Sequence, residues 1–212
     1  MYIYPSIDTD DKTVFDIRVL ELIGIAPIIH VDFCDGKFFD FKSTDFEYIR
    51  SYFNKVNIKI QIHFMAYKPS QFILLKEMNI ESIVIHYESL IDIKKELEIL
   101  RSYPFNFKVG IAFNNIDSMR RIDKKYYDFI HILSTSTPGV SGGKLRDDLE
   151  SIIEKIISNG VKDIEIDGGL SIETIEKIKD KYGIEKYVLG HEIWNSQYPV
   201  NKFIAIKDMF KF

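Results

Sequence analysis

Residues 28–33, Ile-Ile-His-Val-Asp-Phe, carry the pattern on which the fold depends: a short β-branched run with polar side chains near its end. Similar runs recur along the sequence, each with the length and the isoleucine and valine content of a buried strand. The predicted strands are 2–7, 26–33, 58–64, 82–86, 108–113, 129–133, 163–167 and 186–189. Between them, apolar residues near i, i+3, i+4 and i+7 predict helices at 45–53, 70–78, 91–100, 149–157 and 171–181.

The alternation of strands and helices predicts a parallel sheet that is covered by helices. About eight such units fit into 212 residues only if the loops are short. This favours a compact (β/α)8 TIM barrel, a single domain over residues 1–212. A doubly wound open sheet is the alternative, because alternation alone does not establish that the sheet closes. In a barrel, catalytic residues are expected at the C-terminal ends of the strands and in the loops that follow them.

The composition narrows the class of protein. The chain has 28 Lys+Arg against 32 Asp+Glu, so it lacks the basic excess that a general nucleic-acid binder needs. No apolar run approaches the ~20 residues of a membrane helix, and residues 1–5 lack the layout of a signal peptide. The single cysteine, Cys34, excludes an internal disulfide framework and fits a reducing compartment. We therefore expect a cytoplasmic globular protein with no nucleic-acid and no membrane partner.

Four polar residues stand where a barrel would bring them together. His30 and Asp32 are two positions apart, so both side chains leave the same face of their strand. His63 and Asp167 each end another predicted strand. Any one of the four also fits a structural role, but burying several polar groups in a barrel is costly unless a metal or a ligand satisfies them. The set therefore favours a site for a metal or a ligand. As ligands of one divalent metal ion, mixed nitrogen and oxygen groups would suit Zn²⁺, Fe²⁺, Mn²⁺ or Co²⁺.

Glycines form a second group after the last three predicted strands. Gly142 and Gly143 follow the sixth strand, Gly168 and Gly169 the seventh, and Gly190 the eighth. Backbone amides in the late loops of a barrel commonly hold a phosphate. Three such positions on neighbouring strands favour a phosphate site over ordinary turn glycines.

Three further residues are expected to serve the structure rather than the chemistry. His131 alternates with isoleucines inside a predicted strand, which indicates packing. Cys34 has no base beside it by spacing, so it is interpreted as a small apolar wall. Trp194 follows the last predicted strand, where it can anchor a loop.

Seven motifs, in order along the chain, resemble those of the ribulose-phosphate 3-epimerase family. The most specific single motif is residues 30–36, His-Val-Asp-Phe-Cys-Asp-Gly, which is similar to the family's His-Val-Asp-x-Met-Asp-Gly. The others are Pro5-Ser6-Ile7, His63-Phe64-Met65 through Pro69, His86-Tyr87-Glu88, Gly110-Ile111-Ala112-Phe113-Asn114, Pro138-Gly139 and Asp167-Gly168-Gly169. Their order and spacing around a barrel are more specific than any one of them.

The resemblance implies roles for particular residues. Asp32 and Asp167 would be the acid/base pair, and Ser6 would contact a hydroxyl group of the substrate. The implied metal ligands are His30, Asp32, His63 and Asp167. The other residues expected at the substrate are Met65, Gly139, Gly142, Gly143, Gly168, Gly169, Gly190 and His191.

Several positions depart from the family pattern. The loop at residues 139–143 reads Gly-Val-Ser-Gly-Gly in place of Gly-Phe-Gly-Gly-Gln, and the final Gly-Ser is Gly190-His191. Family methionines are replaced by Cys34 and Ser134. The acid/base and metal positions are intact while the substrate-end loops differ. This pattern indicates retained chemistry and leaves room for a different sugar phosphate or a different distal group.

The leading hypothesis is a metal-dependent 3-epimerase of a ketose phosphate, with D-ribulose 5-phosphate and D-xylulose 5-phosphate as the default pair. A close alternative keeps the reaction and changes the substrate to a hexulose 6-phosphate. A decarboxylase or aldolase on a similar barrel needs an Asp-x-Lys arrangement or a Schiff-base lysine at a strand end, and residues 61–63, Gln-Ile-His, offer neither. A non-catalytic sugar-phosphate-binding barrel is the remaining alternative. The resemblance also suggests a homo-oligomer.

Overall fold

The computed structural model describes residues 1–72, 78–89, 92–104, 106–113, 116–135 and 142–211. Eight parallel strands close into a barrel in sequence order. They are β1 (Tyr2–Ile7), β2 (Ile28–Cys34), β3 (Lys59–Met65), β4 (Ile80–His86), β5 (Lys108–Ala112), β6 (Phe129–Leu133), β7 (Ile164–Asp167) and β8 (Lys186–Leu189). The sheet closes because β1 pairs with β8 as well as with β2, with Tyr2 opposite Lys186. The predicted (β/α)8 barrel is therefore confirmed, and the open-sheet alternative is wrong.

Alpha helices cover the barrel, and the described part of the connection between β5 and β6 contains 3-10 segments at Ile116–Arg121 and Lys124–Tyr126. Within the described ranges the alpha helices are α1 (Lys12–Leu22), α2 (Phe46–Phe53), α3 (Ile93–Ser102), α4 (Leu149–Ser158), α5 (Ile172–Tyr182), α6 (His191–Trp194) and α7 (Pro199–Phe210). Four predicted helices correspond to α2–α5. Only the start of the predicted helix 70–78 is described, as a 3-10 turn at Pro69–Gln71, since residues 73–77 lie outside the described ranges. No helix in the part of the chain that the structure describes could cross a membrane, because none is both long and apolar enough.

Side-chain caps fix where two of the predicted helices begin. The Asp45 carboxylate accepts a hydrogen bond from the Tyr48 amide at 3.0 Å, and the Ser171 hydroxyl accepts one from the Thr174 amide at 3.2 Å. Each bond satisfies an amide that has no partner within its own helix. Helix α5 then ends at Gly183, whose φ of 69° is a left-handed conformation that glycine adopts without steric cost.

Helix α1 is missing from the predicted set because its apolar residues do not keep to one face. Phe15 and Val19 are buried, whereas Ile17 and Leu20 are 51% and 61% exposed. An amphipathic pattern therefore does not develop. The helix matters for the site, since it carries Arg18 to the end of β1.

Alternation along β2 sorts its side chains between two layers. Ile29, Val31 and Phe33 are buried in the layer between the strands and the helices, where the Phe33 ring lies 5.1 Å from the Phe46 ring centroid. The side chains between them face the barrel interior. The interior of this barrel is consequently polar at the C-terminal ends of its strands.

A small apolar cluster fills part of the barrel interior beside the polar groups. Val84, Ala112 and Phe129 form this cluster and are almost fully buried. Gly110 leaves room for the Phe129 ring, because a Cβ atom on Gly110 would lie 2.4 Å from it. The cluster therefore depends on a glycine at this one position.

Candidate metal centre

Four side chains at the C-terminal ends of three strands meet inside the barrel. The register of β2 and β3 sets Asp32 opposite His63, and Asp167 ends β7. His30 Nε2 lies 3.2 Å from Asp32 Oδ1 and 3.8 Å from Asp167 Oδ2, and His63 Nδ1 lies 3.1 Å and 3.6 Å from the same two oxygens. One ligand atom of each residue lies within 4.8 Å of the other three. The structure thus brings together all four residues expected at a metal site.

The donor set fits a divalent cation of the kinds named above, with two imidazole nitrogens and two carboxylates. The second nitrogen of each ring is already engaged. His30 Nδ1 donates to Gln61 Oε1 at 2.6 Å, and His63 Nε2 lies 2.8 Å from His86 Nε2. Such contacts fix the ring orientation and leave the opposite nitrogen for the cation. His30 would therefore bind a metal through Nε2 and His63 through Nδ1.

A buried polar chain links the centre to the neighbouring strands. Gln61 Nε2 donates to Glu165 Oε2 at 3.1 Å, and His131 Nδ1 donates to Glu165 Oε1 at 2.8 Å. His131 Nε2 lies 3.2 Å from Asp167 Oδ2. His131 is thus structural, as the sequence indicates, but its contacts are polar and reach Asp167. The alternation of polar and apolar residues along β6 and β7 was the available sequence signal for these contacts. The register of the two strands sets His131 opposite Glu165.

Neighbouring opposite charges affect the pKa values of the imidazole and carboxyl groups at this centre more than burial does. Burial alone would lower the pKa of His30, but Asp32 and Asp167 raise it to about 9. Burial would raise the pKa of Asp167, yet His131 and His63 lower it. The pKa of Asp32 is lowered against burial by His30 and His63. Both carboxyl groups are therefore held ionised, which metal ligation requires.

A cavity opens beside the four residues, and Asp32 and Asp167 line it. The expected site residues that line it are Ser6, Asp32, Met65, Gly142, Asp167, Gly168, Gly169, Gly190 and His191. Gly143 lies beside this lining, because its carbonyl oxygen is 2.7 Å from the position of a Cβ atom on Gly169. Gly139 lies outside the described residues. Cys34 is buried, and burial raises the pKa of its thiol, in keeping with a wall residue.

The glycine loops pack too closely to accommodate side chains. Gly168 has a φ of 97°, and a Cβ atom there would lie 2.9 Å from the Thr135 methyl group. A Cβ atom on Gly142 would lie 2.9 Å from the His191 ring. The loops after β6, β7 and β8 therefore meet at one end of the cavity, as the phosphate hypothesis requires.

Two charged residues of the cavity lining escaped the sequence analysis, and Trp194 has a defined role there. Asp8 and Arg18 line the cavity together with Trp194. Arg18 Nη1 donates to the Asp8 carbonyl oxygen at 3.1 Å, and Trp194 Nε1 donates to the Ser6 carbonyl oxygen at 2.6 Å. Trp194 therefore anchors the end of β1. The position of Asp8, two residues after Ser6, was the available signal for it, whereas Arg18 had none because α1 was not predicted.

Sequence comparisons point to one family. The model of the Ribulose-phosphate 3 epimerase family matches residues 3–194. A protein named ribulose-phosphate 3-epimerase from Chlamydia muridarum (strain MoPn / Nigg) is 26% identical over 165 residues, which cover 73% of this chain and 71% of that protein.

Solved structures with similar folds have low sequence identity. The 3-hexulose-6-phosphate synthase from Salmonella typhimurium aligns with a TM-score of 0.69 at 13% identity, over 100% of this chain and 99% of that chain. The thiamine phosphate pyrophosphorylase from Pyrococcus furiosus aligns with a TM-score of 0.61 at 13% identity, over 99% and 95%. These likenesses concern the fold alone. Since the family model spans most of the sequence, the chain belongs to the ribulose-phosphate 3-epimerase family.

Proposed function

We propose that this protein is an isomerase that inverts C3 of a ketose phosphate, with D-ribulose 5-phosphate and D-xylulose 5-phosphate as the default pair. The observation that carries the proposal is the meeting of two carboxylates and two imidazoles at a cavity lined by glycine loops. Family membership supports an epimerase-like activity. The proposal goes further in naming the reaction, the residues and the substrate class.

Inversion beside a ketone needs two groups that handle protons. One group removes the weakly acidic C3 proton, a planar enediolate forms, and another group returns a proton to the opposite face. Asp32 and Asp167 suit these roles because they come from β2 and β7, which are separated by β8 and β1. Their surroundings differ, since Asp32 pairs with His30 at 3.2 Å while Asp167 also contacts His131. Both groups are ionised in the metal-free protein, so one of them must take up a proton before it can act as the acid.

The four candidate ligands would hold one divalent cation, which supplies stabilisation of the negative charge that develops on the substrate oxygens. The chain's own groups orient and bind the rest of the sugar. Ser6 and Met65 line the cavity next to Asp32, so they can contact the hydroxyl groups and the reacting plane. The glycine loops, including Gly168 and Gly169, present backbone to the distal end, where a phosphate would bind.

The main alternative keeps the reaction and changes the sugar. His191 lines the cavity and lies against Gly142, so an imidazole stands where the family carries a serine. This favours a substrate with a different distal group, such as a hexulose 6-phosphate. A non-catalytic sugar-phosphate binder would have no need of both carboxylates, and the acid/base set therefore argues against it.

The test is proton exchange. A panel of pentulose 5-phosphates and hexulose 6-phosphates is incubated in deuterated water with added Fe²⁺, Mn²⁺, Zn²⁺ or Co²⁺ and scored for label at C3. We expect label with at least one sugar, and a loss of about 100- to 10,000-fold in exchange rate for Asp167→Asn, the usual range for one acid/base group. Asp147→Asn is the control, since its side chain is 94% exposed. Absence of label with every sugar and metal, or near-normal exchange in Asp167→Asn, contradicts the proposal.

Family resemblance also leads us to propose a homo-oligomer. Size-exclusion chromatography with light scattering measures its mass directly. A mass equal to that of one 24.8 kDa chain across the working concentration range contradicts this part of the proposal.

A further inference from the structure

The carboxyl group of Asp8 is an unsatisfied polar group at the cavity. Asp8 follows β1 directly, and its side chain lines the same cavity as Asp32 and Asp167. Its Oδ1 atom is buried and has no hydrogen-bond partner among the residues that the structure describes. An unpaired buried acceptor costs about 1–3 kcal/mol. An unsatisfied group of this kind calls for an explanation, and a donor on a bound ligand would supply its partner.

The backbone around Asp8 is held in place from two sides. Arg18 Nη1 donates to the Asp8 carbonyl oxygen at 3.1 Å, and the Arg18 guanidinium lies 4.9 Å from the centre of the Trp194 ring. Trp194 Nε1 donates to the Ser6 carbonyl oxygen at 2.6 Å. Arg18 thus binds the main chain of Asp8, and Trp194 binds the main chain of Ser6 on the other side of Ile7. The main chain that carries the Asp8 side chain is therefore positioned before any ligand arrives.

Neighbouring negative charges raise the cost of burying the Asp8 carboxyl group in its ionised form. Burial, Asp32 and Asp167 together raise the pKa of Asp8 to about 8. The carboxyl group is therefore mainly neutral near pH 7, and its Oδ1 atom can accept a hydrogen bond from a neutral donor. A sugar hydroxyl is a donor of this kind.

We propose that Asp8 is a specificity-determining residue that accepts a hydrogen bond from a sugar hydroxyl other than the one at C3. This inference rests on the proposed function, because it takes the ligand to be a ketose phosphate. In a pentulose 5-phosphate the two candidate hydroxyls are those at C1 and C4, since C2 is the ketone and C3 is the reacting carbon. Asp8 would thus distinguish sugars by their hydroxyl groups, a task that apolar pocket walls perform poorly.

The experiment compares wild type, Asp8→Leu and Asp8→Asn, with Asp10→Asn as the control because Asp10 is exposed two residues further along. Dissociation constants are measured calorimetrically in the presence of Mn²⁺ for a pentulose 5-phosphate and for its 1-deoxy and 4-deoxy analogues. We expect Asp8→Leu to weaken binding of the full sugar by about 10- to 100-fold, the usual cost of leaving one buried hydrogen-bonding group without its partner. Against one of the two deoxy analogues the same substitution should change affinity less than about threefold. Asp8→Asn keeps an acceptor oxygen and should lose less than Asp8→Leu.

Thermal unfolding without metal provides a second readout that separates binding from folding. Asp8→Leu should not lower Tm, since it removes an unsatisfied buried carboxyl group. A lowered Tm with equal losses for all three sugars indicates a structural role and overturns the inference. Equal losses at an unchanged Tm also overturn it, because no hydroxyl is then being recognised. If wild type binds these sugars but exchanges no C3 proton with any of them, the proposed function fails while the affinities still decide the role of Asp8. If wild type binds none of them, both fail.

Discussion

Replacing His131 with leucine tests whether the polar chain inside the barrel stabilises the fold. The leucine has a similar size but cannot donate a hydrogen bond. Glu165 is fully buried and, among the described residues, would keep its side-chain bond from Gln61 at 3.1 Å alone, and Asp167 would lose a contact of 3.2 Å. Removing one partner of a buried ion pair typically costs 3–5 kcal/mol. We expect a loss of about that size in the free energy of unfolding, measured in urea with chelator-treated protein by the fluorescence of Trp194, the single tryptophan.

A second substitution identifies the source of the loss. If an unpaired Glu165 is responsible, Glu165→Gln should cost much less in the His131→Leu background than in wild type. The coupling between the two substitutions should exceed about 1 kcal/mol. Strictly additive free energies, or a loss below about 1 kcal/mol for His131→Leu alone, would refute the reasoning.

The dependence of stability on pH tests the interaction of His131 with Glu165 and Asp167. Burial alone would lower the pKa of His131, but Asp167 and Glu165 raise it from 6.5 to about 9. The folded protein therefore holds this proton more tightly than the unfolded chain does. The protonated His131 contributes up to about 3 kcal/mol to the free energy of unfolding. This contribution is complete below pH 6.5 and is lost as the pH rises through 9. Metal-free wild type should lose stability over this interval, and His131→Leu should lose less. An equal loss in both proteins means that another group titrates.

Three further predictions concern the metal, the distal loop and the interior packing. A divalent cation at 100-fold excess over its Kd should raise the Tm of wild type by about 5–10 °C and that of His63→Gln by much less; an equal rise in scanning calorimetry would exclude His63 as a ligand. His191→Ser should increase turnover of ribulose 5-phosphate in the exchange assay if the final loop is adapted to another sugar, and unchanged or lower turnover speaks against this. Gly110→Ala should cost about 1–3 kcal/mol in urea unfolding, because its Cβ atom would lie 2.4 Å from the Phe129 ring. Phe129→Leu should recover part of that loss, and no recovery would mean that the clash is relieved elsewhere.

Local patterns were sufficient to predict the barrel. The bounds of β1, β6 and β8 match the predicted strands, because each is a short β-branched run between clear breaks. The other strands differ from the predicted ones at their ends, because pairing with neighbouring strands determines where a strand begins and ends. Strand β2 continues to Cys34 because that residue pairs with Met65 of β3, a contact that no local pattern contains.

The candidate site was predictable where alternation and strand ends define it. His30 and Asp32 share a face by spacing alone, and parallel strands bring His63 to the same end of the barrel. Asp8 and Arg18 were not found, because their relevance depends on how α1 packs beside β1, and α1 lacks an amphipathic pattern. The fit of the glycine loops also depends on distances between segments that are far apart in sequence.

The order in which the nascent chain can complete its barrel follows from the seam between β1 and β8. The hydrogen bond from Trp194 to Ser6 joins residues 188 positions apart, and β8 pairs along most of β1. Until the ribosome has released β8, the sheet has two open edges with unpaired backbone groups, which other chains can join. Molecular chaperones that shield such edges should therefore matter most late in translation, after Asp167 has been made but before the seam can form.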